Sequence, residues 1–147
     1  MISYVYNADF ITNLYEVCLG SDDAPFLVLG EELSKGVGVA AVSIWGEHLQ
    51  IHDALSRIVY HQSVESEELA IEDQKIARRV QKSQETLTGA VITNTRSRYF
   101  YWSIPLAGKK GMYYLVLWCS RKFLDDDLEA YINLAPHLIR LVDIVLS

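Results

Sequence analysis

Residues 98–122 of this chain read RYFYWSIPLAGKKGMYYLVLWCSRK: two strand-length runs, dense in aromatic and aliphatic residues, flanking Ala107-Gly108-Lys109-Lys110-Gly111. Runs of this kind bury best as pleated strands, and a glycine-containing connection of this length closes them into an antiparallel hairpin. The hairpin belongs at the centre of a sheet, and the remaining segments have to cover its faces.

Strand alternation predicts Phe100, Trp102 and Ile104 on one face with Tyr114, Val116 and Trp118, and Tyr99, Tyr101 and Ser103 on the other with Tyr113, Leu115, Leu117 and Cys119. One face must pack on helices. The other is the best available wall for a pocket in which aromatics bury a planar ligand and hydroxyls orient it. The pocket candidates are Phe100, Trp102, Tyr114 and Trp118, together with His48 and His52 from an earlier strand.

The covering elements follow from periodicity. Asp9 caps a first helix through Phe10, Leu14, Val17 and Cys18, stopped by Gly20, and Asp23 with Pro25 opens a second that ends before Gly36 and Gly38. Residues 37–45, VGVAAVSIW, pair as a hairpin with 48–55, whose alternation turns His48, Gln50 and His52 to one side, as on an edge strand or a polar cavity wall. A polar helix over 66–86 has a thin apolar stripe of Leu69, Ile76, Ala77, Val80 and Leu87. Its basic ridge, Lys75, Arg78, Arg79 and Lys82, reads as a solvated face. A short strand, AVIT, leads through 94–97 into the central hairpin.

The last helix begins at Asp125-Asp126-Asp127, acids that suit the positive end of a helix dipole, and runs to about Leu146. It has two apolar stripes. Leu128, Ile132, Ala135, Ile139, Val142 and Leu146 form one; Leu134, Leu138, Leu141 and Val145 form the other, assigned here to a dimer contact. Pro136 removes a helical hydrogen bond and should bend the helix near His137, itself expected to be exposed or capping.

Several functions are disfavoured. A formal net charge of −6 opposes direct nucleic-acid contact, which needs clustered Lys and Arg. No apolar run approaches the ~18 residues of a membrane span, and no leader pattern stands at the N-terminus, so a cytoplasmic location is expected. Cys18 and Cys119 lie in apolar patterns without metal-ligand spacing and read as buried structural thiols. His48 and His52, ~13 Å apart on a strand, cannot share a metal ion. No GxSxG, GxxxxGK[ST] or HExxH motif is present, so no catalytic residue is assigned.

Ser103-Ile104-Pro105-Leu106, the Lys109-Lys110-Gly111 turn, Tyr114-Leu115-Val116-Leu117-Trp118, and Phe123 with Asp127 together resemble a GAF domain. Two further stretches, ITNLYEV at 11–17 and LAPHLIR at 134–140, are similar to the N-terminal sensory domains of some LuxR-type bacterial transcription regulators. The resemblance spans nearly the whole chain, 1–147, as a single domain. It implies an α+β fold with a central antiparallel sheet of order 2-1-5-4-3. The N- and C-terminal helices would lie on one face, and the polar helix and loops on the other.

It also implies a small-molecule pocket against one sheet face and a homodimer paired through terminal helices. The output it implies is a DNA-binding domain outside this sequence, or a partner protein. The cysteines that GAF-related sulfoxide reductases and bilin-binding domains require have no counterpart, and Leu128 replaces the Glu of the cyclic-nucleotide signature. The expectation is a non-catalytic sensory domain with an unidentified ligand. The alternative is a GAF-fold scaffold for dimerisation or protein contacts, its pocket filled by its own aromatics.

Overall fold

A computed structural model of the chain describes residues 8–20, 24–36, 38–47, 54–109 and 111–146. Helices α1 (Ala8–Leu19) and α2 (Pro25–Leu33) lead into strands β1 (Val39–Glu47) and β2 (Leu55–Gln62). Helix α3 (Glu67–Ser83) follows, then β3 (Leu87–Ile92), β4 (Arg98–Ala107), β5 (Met112–Cys119) and α4 (Asp125–Leu146). The strands form one antiparallel sheet of order β2-β1-β5-β4-β3, so the expected α+β architecture is observed. Helices α1, α2 and α4 cover one face of it and α3 the other.

The sheet has two cores because its strands are apolar on both faces. On the terminal-helix face Trp102, Leu106, Tyr113, Leu115, Leu117 and Cys119 meet Leu14, Leu29, Leu33, Tyr131, Leu134 and Leu138. On the α3 face Tyr99, Tyr101, Tyr114, Val116 and Trp118 meet Leu69, Ile76, Ala77 and Val80. Each strand of the hairpin alternates as its sequence predicts, but the partnership between strands is the opposite of the expected one. Ala107 pairs with Met112, and so Tyr101 lies beside Trp118 and Trp102 beside Leu117. The connection therefore has four residues, 108–111, where five were expected. Changing its length by one swaps which parities share a face.

The first hairpin also differs. The partner of β1 is not 48–55 but β2, Leu55–Gln62, where the β-branched pair Ile58-Val59 and Tyr60 favour a strand. His48 and His52 lie outside the described residues. Helix α3 is shorter than expected: Ser66 accepts from the Leu69 N–H at its start, and Gln84 ends it in a left-handed conformation at φ 55°. Leu87, placed on the helical stripe by spacing, instead opens β3. Opposite Tyr101, Gly89 leaves room for the tyrosine ring to lie across β3, where a Cβ would collide with it.

Helix α4 starts with a reciprocal cap. Asp127, buried, accepts from the Leu124 N–H at 3.0 Å and pairs with Arg121 at 3.0 Å. The stripe assigned to a dimer contact faces the wrong way for one: Leu134, Leu138 and Leu141 are at most 1% exposed and pack in the terminal-helix core, with only Val145 half-buried. Of the other stripe, Ile132 and Leu146 are exposed, and Ile144 lies outward beside them. Ala135 and Val142 of that stripe are buried beside Leu134, Leu138 and Leu141, so one face of the helix drawn from both stripes meets the core. His137 is neither cap nor exposed: it is half-buried, and its Nδ1 meets the Tyr15 hydroxyl at 2.8 Å, tying α4 to α1. Both cysteines are buried, as expected.

Candidate functional site

The polar centre of the molecule lies under α3. Asp73 occupies the helix position that completes the apolar stripe Leu69, Asp73, Ile76, Ala77, Val80, and it is fully buried against the sheet. Four donors converge on its carboxylate. Oδ1 accepts from Ser43 Oγ at 2.8 Å and from Trp118 Nε1 at 2.8 Å; Oδ2 accepts from Trp45 Nε1 at 3.0 Å and Arg57 Nη2 at 3.2 Å. Burial pushes the Asp73 carboxyl above its ordinary value, and the bonds from Trp118 and Ser43, the Arg57 charge and the bond from Trp45 pull against that.

Each partner arrives by sheet register. Ser43 and Trp45 are two apart on β1 and therefore share a face; Trp118 is the partner of Tyr101 across β4–β5, with ring centroids 5.4 Å apart. Arg57 needs a special device. From Ala41↔Gln62 to Ile44↔Val59 the β1–β2 register is regular, and then Trp45 pairs with Arg57, skipping Ile58. This β-bulge turns Arg57 to the α3 face, where plain alternation from Tyr60 would have put Ile58. The guanidinium sits 4.6 Å from the Trp45 ring centroid and 4.2 Å from that of Tyr60, and Nη2 also donates to the Ala70 carbonyl of α3 at 2.8 Å. Its Nε is buried and finds no acceptor among the described residues. The result is a box with a carboxylate floor and aromatic walls, stoppered by an arginine on an edge strand.

The box is braced at both ends. Tyr60 donates to Gln62, whose amide clasps the Val64 and Ser66 carbonyls at 2.7 Å each, at the start of α3. At the other end Gln84 Nε2 donates to the Tyr114 hydroxyl at 2.8 Å, and Tyr114 donates to Glu47.

The predicted pocket residues are thus divided between two faces. Tyr114 and Trp118 border the box, whereas Phe100 and Trp102 point to the terminal helices, so the four do not line one wall. Ser103 donates to the Leu115 carbonyl at 2.7 Å within the sheet, and Tyr113 faces α4. The residues that sequence reasoning missed are Asp73, Ser43, Trp45 and Arg57. Asp73 had a legible signal, an acid in the middle of an apolar helical stripe; Arg57 had none, because the bulge that aims it is set by register.

Open depressions lie elsewhere. One of ≈ 540 Å³, bordered by Pro136, Ile139, Arg140 and Ile144, separates the β4–β5 turn from α4. Another of ≈ 780 Å³ runs along Gln62, Glu65–Glu68 and Asn94–Thr95 at the start of α3. Among the described residues no group of three His, Cys, Asp or Glu side chains is placed to hold a metal ion, and no helix is long and apolar enough to cross a membrane.

The fold is GAF-like. No family model and no curated protein matches the sequence. Among solved structures, the chain is similar to the GAF domain of a phosphoenolpyruvate-protein phosphotransferase from Coxiella burnetii, at TM-score 0.63 and 12% identity, over 91% of this chain and 90% of that one. It is also similar to the GAF domain of a protein described as a sensor histidine kinase from Pseudomonas syringae pv. tomato, at TM-score 0.60 and 13% identity, over 96% and 89%. At these identities the likeness is one of fold.

Proposed function

We propose that this chain, as a single domain, is a non-catalytic sensory module that binds a small molecule on the α3 face of its sheet. The Asp73 box carries the reading. A fully buried carboxylate with four donors, walled by Trp45, Trp118 and Tyr60, costs more to assemble than apolar packing of the same volume. A few convergent polar groups set among aromatic side chains are the lining that small-molecule sites use. The GAF-like fold, met in proteins described as a sensor kinase and a phosphotransferase, agrees with a regulatory role.

The output runs through α4, whose outward residues Ile132 and Ile144 are available to an output domain or a second copy of the chain. A transcription-regulating output, suggested by the LuxR-type resemblance, and a cytoplasmic setting belong to the same proposal. Native mass spectrometry of the purified protein tests it: a stoichiometric small molecule, lost on denaturation, is expected. A ligand-free mass together with an unchanged melting temperature across a metabolite panel would leave the scaffold alternative in its place.

A further inference from the structure

The box already contains a ligand, the chain's own guanidinium. We infer that the Asp73 box is a recognition site for a small guanidinium-bearing molecule, which enters by displacing Arg57. This deepens the sensory reading above and rests on it. Contact with the faces of two aromatic rings, with a carboxylate beside them, is the setting that selects a guanidinium over a compact ammonium. Trp45 and Tyr60 provide the rings, at 4.6 and 4.2 Å, and Asp73 the carboxylate, at 3.2 Å.

Three observations make Arg57 a displaceable occupant. Its side chain is 28% exposed and is mounted on β2, which ends the sheet, so it can swing to solvent without breaking an interior ladder. Its fit is incomplete, since among the described residues only Nη2 is engaged and the buried Nε lacks an acceptor. The exchange replaces one guanidinium by another, and Asp73 is never left buried without a counter-charge. Displacement also has a consequence elsewhere in the fold. Arg57 Nη2 holds the Ala70 carbonyl, so its departure removes a tie between β2 and the first turn of α3.

Agmatine and its neutral analogue, in which the guanidinium is replaced by a urea group, test this on the parent protein, Arg57→Ala, Arg57→Met and Asp73→Asn. The signal is tryptophan fluorescence, since Trp45 and Trp118 border the box while Trp102 lies on the opposite face. Agmatine should give a saturable change with the parent, at least about ten-fold tighter binding once Arg57 is removed as an internal competitor, and none with Asp73→Asn; the urea analogue should be silent. Should Arg57→Ala fail to fold, Arg57→Met keeps the stem and removes the charge.

The inference falls if the parent gives no saturable response while the Arg57 variants do, because Arg57 is then a permanent part of the core. It falls equally if the urea analogue binds as well as agmatine. A neutral or anionic molecule found by native mass spectrometry would overturn it and leave the sensory reading intact.

Discussion

The Tyr113 hydroxyl donates to Asp143 Oδ1 at 2.6 Å, and Asp143 Oδ2 accepts from the Lys109 N–H at 3.2 Å, so one carboxylate pins both the start of β5 and its turn to the end of α4. A tyrosine of the central hairpin is thus a clamp on the last helix. Tyr113→Phe should destabilise the domain by about 1.5 kcal/mol, the worth of a hydrogen bond to a charged group. It should also speed amide exchange in the last two turns of α4 more than elsewhere. Urea titration and hydrogen exchange check this; uniform exchange rates along α4 would show that the clamp is not local.

Asp73→Asn places an amide where three of the four neighbours can only donate; the Ser43 hydroxyl alone can also accept. Trp45 Nε1 and Trp118 Nε1 cannot accept, and neither can Arg57. One amide N–H₂ must face a donor, and the Arg57 charge loses its partner. A loss of about 3 kcal/mol is expected, against under about 0.5 kcal/mol for Glu72→Gln, whose partner is the exposed Lys75. Denaturant midpoints of the two variants measure the contrast. Equal midpoints would mean that the carboxylate is not what the box is built on.

Leu141 and Ile132 separate the two faces of α4. Leu141 is 1% exposed in the terminal-helix core, and Ile132 is 54% exposed. Leu141→Asp should cost about 4 kcal/mol or more, a large part of a typical domain's stability, and the protein should fail to fold at 37 °C. Ile132→Asp should cost about 1 kcal/mol or less. Circular-dichroism melts read both; a folded, merely dissociated Leu141→Asp would restore the dimer-stripe expectation.

Much of this fold is legible in residue order because its elements are strongly patterned. The central hairpin, the acidic start of α4 and the long apolar run of β1 each announce themselves. What is not legible depends on counts across a gap. The connection 108–111 decides whether Trp118 joins Tyr101 or Trp102, and one skipped residue at Ile58 decides whether Arg57 meets Asp73 or the terminal helices. Neither residue composition nor alternation within a strand encodes such register. The dimer stripe failed for a related reason: two apolar faces on α4 do not say which is inward, and Leu134, Leu138 and Leu141 are the ones the sheet covers.

The alkaline limit of the fold follows from its buried thiols. Burial raises Cys18 to about 11, with Glu32 adding to it, and raises Cys119 to about 12, eased by Arg121 and increased by Asp127. In the unfolded chain a thiol ionises near ~8.5. Between that value and the folded one the unfolded state has released a proton that the folded state keeps. Stability from these groups is therefore complete below about pH 8.5 and is lost as pH rises towards 11–12, at about 1.4 kcal/mol per pH unit for each thiol. Burial and a bond to Glu47 hold the Tyr114 hydroxyl at about 12, which extends the same trend above pH 10. Urea unfolding should give a constant free energy from pH 7 to 8 and a steep fall from 9 to 11. In Cys18→Ala/Cys119→Ala the fall should begin only near pH 10. Thiol labelling of the native parent at pH 8 should proceed no faster than global unfolding; labelling within seconds would show that either sulfur is reached from solvent in the folded state.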